Sequence, residues 1–81
     1  MARKAASTMF RKIGYAEAVR EKFLRVYRKN ARGHVFEIRI STTETGYAYI
    51  DSELDHKASG MTGEEHLAAA QALKEMGVRY V

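Results

Sequence analysis

With 81 residues and no cysteine, the chain is one small domain that buries roughly 60–65% of its unfolded surface. It forms no disulfide, thiol nucleophile or Cys-based zinc site, which fits a reducing, cytoplasmic setting. The net charge of +4 hides a split: residues 1–40 carry eleven Lys/Arg and three Asp/Glu (+8), and residues 41–81 carry three and seven (−4). A basic half joined to an acidic half points to an anionic partner. No apolar run reaches the roughly 18–20 residues that span a bilayer, so no membrane contact is expected. The start has no apolar block of a secretory signal, although its basic, acid-free stretch before Glu17 is compatible with an organelle presequence.

Residues 1–13 show no clear period and read as a basic arm, partly ordered, with Met9, Phe10 and Ile13 docking on the core. Gly14 interrupts any continuous helix, and residues 14–81 read as a single α+β domain. Residues 15–31 read as an amphipathic helix. Ala16, Val19, Phe23, Val26 and Tyr27 share one stripe, and Lys22, Arg25, Arg28, Lys29 and Arg32 lie opposite. Gly33 ends it as a left-handed cap.

Residues 34–41 switch to period two, with Phe36, Ile38 and Ile40 on one face and Val35, Glu37 and Arg39 on the other. A turn over Thr42–Gly46 leads to a second strand over 47–52, so an antiparallel hairpin is expected. Tyr47 and Tyr49 then point outward. Residues 53–61 read as a polar loop. Thr62 and Glu65 have the spacing of a capping box for a second helix that Gly77 stops. Ala69, Ala70, Leu73 and Met76 form its apolar stripe, and Leu67 falls off it. Val78–Val81 suit a short last strand. The expected fold is therefore α+β in α-β-β-α order, an antiparallel hairpin packed against two helices.

The strongest chemical signal is cationic. Arg25, Arg28 and Arg32 recur at helical intervals beside Lys22 and Lys29, and Arg11 and Lys12 extend the array along the arm. Lys and Arg so arrayed meet successive phosphates and release condensed counterions. A solvated polar face and cations favoured by a helix C-terminus account for part of the same pattern. Tyr47 and Tyr49 suit either base stacking or a protein contact. The acids around Asp51, Glu53, Asp55 and His56 lack the spacing of a calcium loop. The three histidines have no zinc spacing. No nucleophile motif or phosphate-binding glycine loop is present, so no metal, cofactor or catalytic residue is expected.

The segment Gly33, His34, Phe36, Ile38, Ile40, Ala68–Ala70, Ala72, Leu73 and Gly77 is loosely similar to a double-stranded-RNA-binding domain, in which a strand precedes an alanine-rich last helix. That family opens its last helix with lysines, where this chain has Glu64, Glu65 and His66. The resemblance therefore implies RNA contacts elsewhere than on the second helix.

Two functional expectations follow. The first is a small non-enzymatic nucleic-acid-binding module that uses Arg11, Lys12, Lys22, Arg25, Arg28, Lys29 and Arg32. The second is a protein-interaction module presenting Tyr47, Tyr49 and Leu67. It would be a regulator or inhibitor of a larger assembly, as phages and mobile elements encode, with an acidic protein surface as partner. The basic and acidic halves can also pair between copies, which keeps a homodimer open.

Overall fold

The computed structural model describes residues 4–78. The elements run α1 (Ala6–Lys12), β1 (Ala16–Arg20), β2 (Leu24–Ala31), β3 (His34–Thr42), β4 (Ala48–Leu54), β5 (Lys57–Ala58) and α2 (Gly63–Glu75). The strands form an antiparallel meander in chain order. The domain is α+β, as its composition and periodicities imply.

The stretch 15–31 is not a helix; it is β1, a turn and β2. Its second half supports both periods: Arg25, Tyr27 and Lys29 alternate with Val26, Arg28 and Asn30, and β-branched and aromatic residues favour the pleated form. Pairing decides the outcome. All eight residues of β2 find partners on β3, from Leu24 opposite Ser41 to Ala31 opposite His34. A lone helix has no such partner. The β1–β2 turn was illegible because it contains neither Gly nor Pro. It is closed by the Glu21 N–H donating to the Leu24 carbonyl at 2.8 Å.

Two further corrections concern polar segments. The polar run after residue 52 is not all loop. β4 continues to Leu54, Asp55 and His56 turn the chain with φ of 51° and 67°, and β5 pairs back onto Glu53 and Leu54. The basic arm contains α1, whose Phe10 is fully buried. Met9 and Ile13 pack on the same core, as their apolarity implied. The strand expected over Val78–Val81 falls mainly on residues outside those described.

The core lies between one sheet face and the helices. Phe10 stacks on Tyr27 at 3.9 Å between ring centroids and meets Tyr15 edge-on at 5.6 Å. Ile38 and Ile40 of β3 complete the floor, and Ala68, Ala69, Ala72 and Leu73 of α2 close the roof. Small alanines let the helix lie close to its neighbours. α2 starts on the expected capping box: the Glu65 N–H donates to Thr62 Oγ1 and the Thr62 N–H donates to Glu65 Oε1. Leu67 stays outside the core and is exposed.

Candidate nucleic-acid interface

The five cations expected on one helix face and the two expected on the arm do not form a single array. Arg25 is inside the domain. It is only 7% exposed, and its Nη1 donates to Glu75 Oε1 at 2.5 Å. Burial opposes the charge on Glu75, but Arg25, the Ala6 N–H and Gln71 more than offset it and hold the carboxyl below the usual glutamate range. Burial likewise disfavours the guanidinium, and Glu75 and Tyr27 reverse that effect. Arg25 is therefore a structural ion and is not available to a phosphate.

Arg28 lies on the opposite, helix-free face of the sheet. Its Nη2 and the Nη2 of Arg39 each sit 2.7 Å from Glu37, one on each carboxylate oxygen. One Glu37 carboxylate thus pairs with two neighbouring arginines and offsets one of their two charges. Lys22 occupies the β1–β2 turn at the far end of the domain, 5.2 Å from the Phe23 ring centroid. It borders an open cleft of about 600 Å³ with Thr42, Thr43, Met76 and Val78. Among the described residues, the Thr42 hydroxyl there has no partner, and Lys22 is the one cation lining the cleft.

The other four cations gather at one end. Three chain segments meet there: the C-terminus of α1, the start of β1 and the β2–β3 hairpin. Gly14 brings α1 against β2. Its φ of +95° is a left-handed conformation that glycine adopts without cost, and a Cβ there would fall 2.9 Å from Cδ of Lys29. The close approach seats Lys29 Nζ over two rings, 4.8 Å from Tyr15 and 4.7 Å from Phe36. Cation–π contact holds the ammonium in place without neutralising it.

Arg32 sits at the hairpin tip. Ala31 pairs with His34, so Arg32 and Gly33 form a two-residue turn with φ of 53° and 78°. That is the primed turn whose twist matches the strands. Arg11 and Lys12 are exposed in the last turn of α1. Lys4 lies close to Lys12 and lowers its pKa. Among the described residues, none of Arg11, Lys12, Lys29 and Arg32 has a carboxylate within salt-bridge distance.

Two acids near this end, Asp55 and Glu65, are already engaged, and Glu64 lies beside Lys12 without pairing to it. Asp55 accepts from the Val35 N–H at 2.8 Å and contacts His34 Nδ1 at 2.6 Å, and both lower its pKa. Glu65 caps α2 and accepts from the buried Tyr15 hydroxyl at 2.7 Å. Burial first, then Glu65, pushes the Tyr15 phenol well above the usual tyrosine range. The departure from the RNA-binding pattern at Glu65 thus has a structural cause.

Tyr47 and Tyr49 are exposed on or beside β4, facing away from the helices, at 66% and 54%. Leu67, on α2, belongs to a different surface beside Met9, Lys12 and Ile13. The interaction surface expected from these three residues is therefore two surfaces. Ile50, exposed at 37% on the other face of the same strand, was missed because its alternation marked it as core.

Among the described residues, no three His, Asp or Glu side chains converge to hold a metal, and no helix is long and apolar enough to cross a membrane. Comparison with protein-family models, with curated proteins and with solved structures finds no match to this chain.

Proposed function

We propose that this chain is a small non-enzymatic nucleic-acid-binding module whose basic end grips phosphates. One observation carries the reading. Arg11, Lys12, Lys29 and Arg32 share one end of the domain and have no carboxylate partners among the described residues. Lysine and arginine held this way can displace condensed counterions. Arg28 and Arg39 share the Glu37 carboxylate on the other sheet face and so offer less free charge. The contacts are to phosphate, so binding is expected to vary little with base sequence.

The test is a titration of the natively purified protein with short duplex and single-stranded oligonucleotides at low salt. The quadruple variant Arg11→Gln/Lys12→Gln/Lys29→Gln/Arg32→Gln is the comparison. Binding by the native protein, and its loss in a variant of unchanged circular dichroism, supports the reading. Equal binding by both proteins, or by neither, removes it.

A second reading, a protein-interaction module, draws on the exposed Tyr47, Tyr49 and Ile50 along one strand. An acidic protein groove at the basic end is a partner of the same chemistry as nucleic acid. Pull-down from the source cell separates the two readings.

A further inference from the structure

The two edges of the sheet are built differently. β1 is a guarded edge. It has five residues, carries Glu17 and Arg20, and has a register shift between Glu17 and Val19. Charges and bulges of this kind discourage further pairing.

β4 pairs with β3 without a register shift, and its charges, Asp51 and Glu53, lie toward its β5 end. β5 covers only its last two residues, Glu53 and Leu54. The Ser52 carbonyl accepts from the Ser59 N–H at 2.9 Å, so the main-chain groups of Ser52 point away from β3. Period two then places the N–H and C=O of Ala48 and Ile50 on that same outer edge. Among the described residues, those four groups have no strand beside them. Helix cover is thin here too, since Ala48 and Ile50 are exposed although they lie on the helix-side face. Tyr49 and Ile50 of β4, with Tyr47 just before it, are three of the four large hydrophobic side chains exposed among the described residues.

We infer that the β4 edge is a homodimer interface, in which β4 pairs antiparallel with β4 of a second copy about a two-fold axis at Tyr49. The occupant is argued from self-complementarity. With Tyr49 opposite Tyr49, Ala48 of each copy falls opposite Ile50 of the other, and the four free groups of each edge are all paired. Moving the axis to Ile50 brings Ala48 onto Ser52, whose carbonyl Ser59 already holds. Moving it to Ala48 pairs Ile50 with the turn residue Gly46. At the Tyr49 register, Asp51 lies opposite Tyr47, so no like charges face each other. The loop bearing Glu44 in one copy comes abreast of β5 in the other, which bears Lys57. The two Tyr49 rings meet on the open face as a close non-hydrogen-bonded pair. Four main-chain bonds and one aromatic pair make a small interface, so the dimer forms in a concentration-dependent way. The inference stands apart from the phosphate-binding reading, because no cation of the basic end takes part.

The absence of cysteine makes the register directly testable. Sedimentation of the full chain over a concentration series is expected to approach twice the 9.2 kDa chain mass. Tyr49→Cys is expected to form a self-disulfide on mild oxidation, because its Cβ atoms meet at the axis. Asp51→Cys is expected not to, since its two copies lie four residues apart along the paired strands. Ala48→Pro removes an outward N–H without touching the ladder to β3 and is expected to shift sedimentation back to the single-chain mass. A native chain that stays at the single-chain mass throughout the series overturns the proposal. So does equal cross-linking at positions 49 and 51. Cross-linking of Tyr49→Cys to other proteins alone also overturns it and reassigns the edge to a foreign strand.

Discussion

Arg25 of β2 and Glu75 at the end of α2 form the ion pair that ties the second helix to the sheet, with Nη1 2.5 Å from Oε1. Glu75 Oε2 also accepts from the Ala6 N–H at 2.8 Å and from Gln71 at 3.1 Å, so one carboxylate joins α1, α2 and β2. Arg20 reaches the same carboxylate at 3.9 Å and pairs with Glu17, which accepts from the Tyr27 hydroxyl at 3.1 Å. Removing one partner of such a pair leaves a poorly solvated charge. Arg25→Ala is therefore expected to cost about 3 kcal/mol of stability, read from the urea midpoint. Under folded conditions it is expected to leave nucleic-acid binding unchanged.

The same carboxylate sets an acid dependence. The folded-state pKa of Glu75 lies below its ordinary value of 4.5. Its stabilisation is fully present above that value and is lost as pH falls through the lower folded value. Asp55 shifts in the same direction from its ordinary value of 3.8, so stability is lost below about pH 4.5 through Glu75 and below about pH 3.8 through Asp55. Glu75→Gln is expected to start less stable at pH 7 and to show a shallower acid decline. Parallel declines for the two proteins would show that Glu75 contributes nothing.

Phe10 belongs to the core and not to a binding arm. Its stack on Tyr27 and its complete burial imply a loss of about 3–5 kcal/mol for Phe10→Ala. Deleting residues 1–13 is expected to lower the melting temperature markedly. A truncated chain that melted like the full protein would contradict this packing.

How much of this was legible depended on whether the signal was local. The alternation of Phe36, Ile38 and Ile40, the outward tyrosines, the capping box of Thr62 and Glu65 and the docking of Phe10 were all readable, because each is fixed by spacing or side-chain type. The strands from Ala16 to Ala31 were not. Val19, Phe23, Val26 and Tyr27 satisfy a helical stripe, and the competing two-residue period is carried by Arg25 and Lys29. Neither looked like a buried residue without its partner, Glu75 for one and two aromatic rings for the other. The basic face misread as helical therefore became an internal ion, an arginine sharing a surface carboxylate, a lone turn lysine and a smaller patch.

Arg32 separates stability from binding. Its φ of 53° is unfavourable for arginine, whereas Asn adopts that region readily in this turn type. Arg32→Asn is expected to raise stability by about 0.5–1 kcal/mol while weakening nucleic-acid binding. The opposing shifts would appear in a melting curve and an anisotropy titration of the same sample.

The most direct test of the phosphate-binding reading is the salt dependence of the association constant on a short DNA duplex. Four neutralised phosphates give a log–log slope of about −3 to −4. Arg11→Gln is expected to reduce its magnitude by about 0.9, and Arg28→Gln, whose native side chain pairs with Glu37 on the opposite sheet face, is expected to change it much less. Absence of binding at low salt would contradict the account, as would a slope that Arg28→Gln lowers as much as Arg11→Gln.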